Sequence, residues 1–447
     1  MVAPPPPPPP PPGLHRHRAW VIVAASLLVE FFGIGFGFFA LIASYPSFEA
    51  MGWDRTTVVA SSSIMILVIA VLSPAIGVWM DRHSVRALFV AGGLVMALGH
   101  SILAFTETPA VFFLGAAVLG LGMSGVTILP NQVLISRWFR SRLGLANGIV
   151  SAGTVLGGAL STMVVTLATQ SHGRRFAFLL LAACVGVVPP LVAILLVRDR
   201  PSDVGLEPYE EAGDPRIASP PTSESVSKPA PTSVAAASGA AHAGTELAPG
   251  SPPVLRESLH DPTFWWLAGG ILFATVPCYT SNKHLILYLH DLGLDATVAG
   301  SVKSLFIVFA GIGRLAAGIL SDRFPRSAVL LAVYLLAAVG FPLVFLMPWW
   351  PAVVAYVVLF GLAYGGIMPM MPIMVVECFG LAAVGSILGV IKIGYDLGAA
   401  SAPLAAAWVH DRTGSYAWVF LVNGLCAWAA VGCAVALRRR QGYEAGT

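Results

Sequence analysis

The sequence predicts an all-α membrane protein in which twelve transmembrane helices form two pseudo-symmetric six-helix bundles. Three observations predict this fold class. The 447-residue chain is 57% hydrophobic and 11% charged, with a mean hydropathy of +0.81, which is too apolar for a soluble domain. Twelve apolar stretches are long enough to cross a bilayer. Glycine-containing patterns of the first half recur in the second half at one fixed spacing.

A proline tract, Pro4 to Pro12, comes before the first apolar stretch. We expect it to adopt an extended polyproline II conformation, and we predict that residues 1–18 form a disordered cytosolic tail. A docking site for a proline-binding partner is the alternative. The first apolar stretch follows Arg16 and Arg18 and is long enough to span the membrane, so we expect no cleaved signal peptide.

The twelve apolar stretches divide into two groups of six. We place them near residues 19–42, 56–79, 87–105, 110–135, 143–168, 175–197, 262–289, 296–320, 327–347, 351–376, 383–408 and 416–437. Residues 19–197 are the predicted N-terminal bundle and residues 259–437 the C-terminal bundle. The segment 198–258 is rich in Pro, Ser, Ala and Gly, so we predict a disordered cytosolic linker. Residues 438–447 are a predicted cytosolic tail.

The loop charges predict the orientation of the chain. If the N-terminus is inside, 17 of the 25 Lys and Arg residues lie in inner segments, four lie in outer loops and four lie within membrane helices. Inner loops of membrane proteins carry the excess of Lys and Arg. We therefore expect both termini and the linker to be cytoplasmic, in a plasma membrane and, for a bacterial protein, the inner membrane.

The two halves repeat at an offset of 241 residues. The pattern Gly77-x-x-x-Asp81-Arg82 recurs as Gly318-x-x-x-Asp322-Arg323. Gly148, Leu156-Gly157 and Gly173 meet Gly389, Leu397-Gly398 and Gly414 at the same offset. Duplicated halves with a site between them near the membrane midplane are a transporter architecture.

Other classes of function have little support in the sequence. The five cysteines lie in apolar stretches without zinc-ligand spacing, so we expect neither a disulfide framework nor a metal site. The sequence has no nucleophile elbow and no phosphate-binding loop, which argues against an enzyme. It shows no nucleic-acid-binding signature either. We expect no cofactor and no nucleic-acid partner.

The loop motifs resemble those of a known family. The sequence Gly77-Val-Trp-Met-Asp81-Arg82-His-Ser-Val-Arg86 resembles the major facilitator signature between helices two and three. Trp138-Phe-Arg-Ser-Arg142, Leu145-Ala-Asn-Gly148 and Ala152-Gly153 resemble the fifth-helix motif of monocarboxylate transporters, whose bacterial relatives include oxalate–formate exchangers. The resemblance covers both halves but neither the tail nor the linker. It implies the major facilitator fold.

Arg314 is the first candidate substrate-binding residue. It lies in an apolar helix together with Lys303, eleven residues earlier and within about 20° on the same helix face. A cation in a membrane helix needs water, a partner or an anionic ligand. By resemblance, Arg314 matches the eighth-helix arginine that binds the substrate carboxylate. Mammalian relatives carry an aspartate four residues before it, where this chain has Ala310, so their proton-carrying pair is incomplete here.

Helix eleven carries a second group of polar candidates. Lys392 and Asp396 are one turn apart, and Tyr395 lies close to the same face. The oxalate exchanger has a substrate-binding lysine on this helix, but counting back from Pro403 places it nearer Tyr395 than Lys392. The two open readings are a self-neutralising ion pair and a second substrate cation, with Asp396 modulating it or accepting a proton.

Glu30 is a candidate for proton coupling. It lies in the middle of the first apolar stretch, directly before Phe31 and Phe32, and no basic residue is within one helical turn. A carboxyl group in such surroundings favours its neutral form. We therefore expect Glu30, in preference to Asp396, to replace the missing aspartate. A structural Glu bonded to a neighbouring helix is the alternative.

Three further polar residues are candidate substrate ligands. Asn282 and His284 on helix seven are about 200° apart, so both cannot face one path squarely, and relatives favour His284. Asn147 lies inside the fifth-helix motif and could hydrogen-bond substrate.

We expect the charged residues at the cytoplasmic helix ends to close the transporter on that side, not to bind substrate. These gating residues are Asp81, Arg82, Arg86, Arg137, Arg142, Asp322 and Arg323. We also expect Pro130 to bend helix four. Glu377 ends helix ten without a basic neighbour in sequence, so we expect its partner to lie across the halves.

The sequence thus predicts a secondary active transporter of small organic anions, monocarboxylates in particular, working as a monomer by alternating access with proton symport. Anion exchange of the oxalate–formate kind is the alternative mechanism. A transport-inactive sensor is the alternative of another class, against which the helix-eight and helix-eleven cations argue.

Overall fold

The computed structural model describes residues 12–211, 252–381 and 383–444. Nearly all of the proline tract, the middle of the linker and the last three residues lie outside the described residues. The described part is almost entirely helical. The N-terminal half contains α1 (Pro12–Glu30, continued by a π-helical segment Phe31–Phe39 and the turn Ala40–Ala43), α2 (Arg55–Arg82), α3 (Val85–Ala104), α4 (Pro109–Val126 and Ile128–Trp138), and α5 and α6, the two parts of Leu143–Leu195.

The C-terminal half has the same order. It contains α7 (Pro262–Asp291), α8 (Ala296–Arg323), α9 (Arg326–Gly340, with a 3-10 segment Phe341–Leu346), α10 (Trp350–Phe379), α11 (Val384–Thr413) and α12 (Ala417–Glu444). Short helices cover Tyr45–Glu49, Pro201–Val204 and Pro252–His260. We call the end of the bundle where α6 ends and α7 begins the linker end.

The twelve predicted membrane helices are confirmed. Ten helical segments are long and apolar enough to cross a membrane, and one of them, Leu143–Leu195, consists of two helices that meet at Gly173. Gly173 has a φ of 83°, which a side chain would disfavour. The remaining helix, α7, is not among these ten segments, but its 30 residues are long enough to cross a bilayer.

The backbone confirms the internal repeat. Gly173 and Gly414 both adopt positive φ, at 83° and 66°, and so do Gly52 and Gly293, at 86° and 85°. Both pairs are separated by the 241-residue offset. Two residues after Gly52, the Asp54 side chain caps α2 by accepting a hydrogen bond from the Thr57 backbone N–H. At the repeated position, Asp295 accepts from Val298 N–H at the start of α8.

Glycines bring the two halves into contact at the linker end. Where α5 crosses α8, a Cβ atom on Gly144 would lie 2.1 Å from the Gly318 carbonyl oxygen. Where α2 crosses α11, a Cβ on Gly77 would lie 2.3 Å from the Gly385 carbonyl oxygen. Only residues without side chains permit such close backbone approach. The repeated Gly77 and Gly318 are therefore packing positions between the halves.

The break in α4 has its cause at Pro130. The helix is interrupted at Thr127 (φ −98°, ψ −153°), not at the proline itself. Proline has no N–H to donate to the carbonyl four residues earlier. The Asn131 amide donates to the carbonyl oxygens of Val126 and Thr127 instead, at 3.3 and 3.0 Å. The expected bend is thus present three residues before Pro130, where the backbone bond is missing.

Three predicted boundaries need correction. Helix α1 begins at Pro12, inside the predicted tail, because proline is tolerated in the first helical turn. Helix α12 continues to Glu444, through most of the predicted C-terminal tail. The first part of the predicted linker, residues 198–211, is ordered. We call this segment the strap.

The strap is held against the α4–α5 connection by main-chain and side-chain bonds. Tyr209 is buried and exchanges backbone hydrogen bonds with Trp138 and Arg140, at 2.8 and 3.1 Å. The next two residues, Glu210 and Glu211, form ion pairs with Arg140 and Arg142. These partners lie far from the strap in sequence, so composition alone makes the segment resemble the rest of the linker.

Candidate functional site

A cavity of about 130 Å³ lies between the two halves. It extends from the middle of the bundle towards the end opposite the linker. The N-terminal half contributes Ile34, Phe38, Phe39, Ile66, Ile69, Met123, Thr127, Ile128 and Thr154. The C-terminal half contributes Tyr279, Asn282, Arg314, Tyr364, Met368, Lys392, Tyr395, Asp396 and Ala399. One wall is therefore almost entirely apolar, and the other carries all the charged groups.

Arg314 projects from α8 into this cavity and is 6% exposed. One guanidinium nitrogen, Nη1, donates to the Ser151 carbonyl oxygen of α5 at 2.6 Å, across the two halves. Its Nε is buried and has no hydrogen-bond partner. No carboxylate of the described residues forms an ion pair with Arg314. The guanidinium group, which is always charged, is thus held by one cross-half hydrogen bond and is not neutralised by an acidic partner among the described residues.

Lys392 and Asp396 form an ion pair on the same wall. The Lys392 ammonium group lies 2.6 Å from both Asp396 carboxylate oxygens, and both side chains are buried. Tyr395 hydrogen-bonds Tyr279 through their hydroxyl groups, at 2.9 Å. In this state Lys392 is neutralised by Asp396, as one of the two sequence-based readings expects.

Glu30 is buried next to the cavity without lining it. Its carboxylate oxygens accept from the Asn131 amide of α4 at 2.8 Å and from the Thr154 hydroxyl of α5 at 3.2 Å. The cations near enough to act on its charge include Arg314 and Lys392. Since Arg314 bonds to α5 one turn from Thr154, Glu30 and Arg314 are connected through a single turn of that helix.

Two lysines that do not line the cavity contact residues that do, namely Asn282 and Phe38. Lys303 donates to the backbone and side-chain oxygens of Asn282, at 2.7 and 2.6 Å. The Lys283 ammonium group lies 5.5 Å from the centre of the Phe38 ring, which places a cation of α7 against α1 of the other half. Asn282 thus lines the cavity, while its oxygens are already engaged by Lys303.

His284 and Asn147 do not line the cavity. Both ring nitrogens of His284 have partners within the C-terminal half, the Tyr416 hydroxyl and the Pro403 carbonyl oxygen, each at 3.0 Å. The Asn147 amide donates to the Leu143 carbonyl oxygen of its own helix at 3.1 Å. The preference for His284 over Asn282 as the cavity residue of α7 is therefore reversed by the geometry.

The linker end is closed by two carboxylates that bind helix N-termini of the opposite half. Asp81 of α2 accepts from Gly385 and Ser386 N–H at the start of α11, at 2.9 and 2.8 Å. Asp322 of α8 accepts from Gly144 and Leu145 N–H at the start of α5, both at 2.8 Å. Unpaired N–H groups and the helix dipole make helix N-termini favourable sites for carboxylates.

Arg86, Arg137 and Arg142 make contacts within the N-terminal half and the strap. Arg137 donates to the Met80 carbonyl oxygen, and Arg142 binds Glu211 of the strap through two nitrogens. The Arg86 backbone N–H donates to Asp199. Arg82 ends α2 beside Asp81, and Arg323 is exposed at the end of α8. The cross-half contacts described above are made by the two aspartates.

The expectation for Glu377 is wrong. It pairs with Arg326, at 3.3 Å, and both residues belong to the C-terminal half. Arg326 begins α9 and Glu377 is near the end of α10, and these antiparallel neighbours meet at the linker end.

Sequence reasoning missed the groups that hold the site together. Ser151, Thr154 and Asn131 position Arg314 and Glu30, yet each is a common polar residue of a membrane helix without a distinguishing pattern. The backbone donors that bind Asp81 and Asp322 could have been found from the sequence repeat. Gly144 and Gly385 are separated by the same 241-residue offset as the two aspartates.

The sequence is similar to a large family of membrane transporters along nearly its whole length. A family model described as the Major Facilitator Superfamily matches residues 27–289 and 277–445. An MFS-type transporter of Gibberella moniliformis is 24% identical over 421 residues, covering 92% of this chain and 87% of that protein. Human monocarboxylate transporter 11 is 26% identical over 427 residues, covering 91% and 80%.

A solved structure shows the same fold. The MFS transporter FucP, in the outward conformation, superposes with a TM-score of 0.70 at 14% sequence identity. The match covers 94% of this chain and 99% of that one.

Proposed function

Because the chain belongs to the Major Facilitator Superfamily, and to its monocarboxylate transporter-like group, we propose that it carries small organic anions, specifically monocarboxylates, by alternating access. The observation that carries this proposal is the position of Arg314. A guanidinium group without an acidic partner among the described residues projects into a cavity between the two halves. An anionic solute is the partner that such a group lacks.

The charges around the cavity support coupled uptake of one proton with one carboxylate. Arg314 carries a permanent positive charge, and Lys392 and Asp396 form an ion pair. If Glu30 is also ionised, the three charged lining residues and Glu30 together have no net charge, leaving out Lys303 and Lys283, which do not line the cavity. A substrate carboxylate then introduces one negative charge, which a proton on Glu30 cancels. We propose Glu30 as the coupling residue, because Asp396 is already neutralised by its lysine.

The test is uptake by the purified protein in liposomes. A panel of labelled pyruvate, L-lactate, benzoate, formate and oxalate should be assayed with and without an acidic exterior. Uptake of monocarboxylates that increases with the pH gradient supports the proposal. Uptake that ignores pH and requires an internal anion would establish the oxalate–formate kind of exchange instead, and no uptake of any anion would favour a sensor.

The gating proposal concerns Asp81 and Asp322. Each carboxylate binds two backbone N–H groups of the opposite half, so the pair favours the state that is closed at the linker end. When the halves rock apart at this end, both helix N-termini lose their carboxylate. Arg82, Arg86, Arg137, Arg142 and Arg323 surround these contacts, and we propose that they position the gate from within their own halves.

The double variant Asp81→Asn/Asp322→Asn should shift the population towards the state that is open at the linker end. Each lost charge-assisted contact contributes about 1.5–3 kcal/mol, enough for at least a tenfold change in the equilibrium. Spin labels at Ser202 and Arg438, both exposed, would report a longer distance between the halves. The control variant Glu257→Gln, on an exposed side chain, should leave the distance distribution unchanged. The same distribution in the double variant would remove the gating role.

We propose that the linker end faces the cytoplasm, in the inner membrane if the protein is bacterial, since most of the Lys and Arg residues lie on that side. In a background without the five cysteines, Ser202→Cys should react with an impermeant maleimide only from the cytoplasmic side. Its matched partner Thr108→Cys, in the α3–α4 loop, should react only from outside. Labelling of Ser202→Cys in intact cells would reverse the orientation and every gate assignment.

We also propose that one chain is the functional unit. The cavity is complete within a single chain, because both of its walls and both linker-end contacts come from the two halves of the same molecule. The bilayer, the substrate anion and protons are then the partners that transport requires.

A further inference from the structure

The two walls of the cavity differ in kind, and this difference indicates which carboxylates fit. We propose that the preferred substrate is a monocarboxylate with an aromatic or comparably apolar body that carries no hydroxyl groups. The inference rests on the proposed function and narrows it. Its basis is a cavity with one open cation on one wall and rings and aliphatic side chains on the other.

The wall of the N-terminal half has no charged side chain. Seven of its nine residues are Ile, Phe or Met, at positions 34, 38, 39, 66, 69, 123 and 128. The rings of Phe38 and Phe39 are 5.5 Å apart and nearly perpendicular, at 88°. Because the two rings are nearly perpendicular, this wall can offer both a ring edge and a ring face to a ligand. Aromatic ligands gain from such arrangements beyond the area that they bury.

The opposite wall is polar, but its polar groups largely satisfy one another. Lys392 bonds to Asp396, and Tyr279 bonds to Tyr395. The oxygens of Asn282 accept from Lys303. Arg314 differs, because it lines the cavity without a carboxylate partner among the described residues. This wall therefore offers one strong recognition point, which suits a single carboxylate.

The two walls also make hydroxy acids and dicarboxylates less favourable ligands. A hydroxyl group that faces the Ile and Phe side chains of the apolar wall would lose its hydrogen bonds to water, which costs about 1–3 kcal/mol in proteins. A second carboxylate would either enter that apolar wall or approach Asp396, a like charge on the polar wall. Both outcomes weaken binding relative to a substrate with one carboxylate and an apolar body.

The size of the cavity agrees with this substrate class. About 130 Å³ is available to a ligand between the walls in this state. A one- or two-carbon anion would leave most of the apolar wall uncovered, whereas a phenyl ring placed between Arg314 and the Phe38–Phe39 pair would cover it. Burial of apolar surface then adds to the affinity that the single carboxylate contact provides.

The test is binding of defined ligands to the full-length purified protein, measured by calorimetry. The probes are benzoate, L-lactate, oxalate and the uncharged isostere benzamide. We expect benzoate to bind at least about tenfold more tightly than L-lactate or oxalate, and benzamide to bind much more weakly than benzoate. No variant is needed for this comparison, so a folding defect cannot obscure it.

One substitution localises the effect. Phe39→Leu removes a ring from the apolar wall and should weaken benzoate binding about two- to tenfold, while isobutyrate binding stays within about twofold. Phe273→Leu, at an exposed position of α7 outside the cavity, is the matched control and should change neither.

The outcomes separate this inference from the transport proposal. If L-lactate or oxalate binds as tightly as benzoate, or if Phe39→Leu affects benzoate and isobutyrate equally, the apolar-body inference is wrong while carboxylate transport stands. If benzamide binds as tightly as benzoate, the carboxylate is not recognised, and both proposals are overturned.

Discussion

Arg314→Lys should reduce carboxylate uptake by about 10- to 100-fold, the loss expected when a charge-assisted contact of about 1.5–3 kcal/mol is removed. Lysine keeps the positive charge but not the planar fork that binds a carboxylate through two nitrogens. It also lacks a second nitrogen to bond the Ser151 carbonyl oxygen while it holds substrate. Initial rates in liposomes over a range of substrate concentrations would measure the effect.

The matched control is Arg438→Lys, the same substitution at an exposed position of α12. It should transport at the wild-type rate, and both variants should show wild-type elution from a sizing column. Near-normal uptake by Arg314→Lys would mean that the guanidinium geometry is not used, and the substrate-binding role of Arg314 would be lost with it.

Glu30→Gln should abolish uphill uptake driven by a pH gradient and leave exchange of internal for external substrate largely intact. The glutamine oxygen can still accept from the Asn131 amide, and its NH2 group can donate to the Thr154 hydroxyl oxygen, so the surrounding contacts are mostly kept. It cannot bind or release a proton, so the carrier cannot return empty with its charge balanced. Accumulation under an imposed gradient and counterflow without a gradient would separate the two activities.

Glu49→Gln, at an exposed position near the end of the short helix that follows α1, should behave as wild type in both assays. If Glu30→Gln still concentrates substrate against its gradient, another group couples the proton. Asp396 would then be the remaining acid on the cavity wall.

The helices and their duplication could be predicted because both depend on local patterns. Length and hydropathy mark a membrane helix, and an offset shared by several glycines marks a repeat. The strap could not be predicted in this way. Its order comes from Tyr209 bonding to Trp138 and from Glu211 binding Arg142, and these contacts exist only after the helices have packed.

The charged members of the site were also predictable, because a cation or carboxylate inside an apolar helix is conspicuous. Arg314, Lys392 and Asp396 all line the cavity, and Tyr395 lies beside them. Uncharged polar residues were less predictable. His284 and Asn282 are on different faces of α7. His284 faces α11 and α12, whereas Asn282 faces the cavity, and this arrangement is known only once the helices have packed.

The central claim is most directly tested by measuring the charge that accompanies substrate. Liposomes containing the purified protein would take up the carboxylate that it transports best, with the pH gradient and the membrane potential set independently and protein-free liposomes subtracted. The account predicts accumulation that follows the pH gradient and does not respond to the potential, because one proton and one carboxylate carry no net charge together. Accumulation that follows the potential, or that occurs only when an anion leaves from inside, would contradict it.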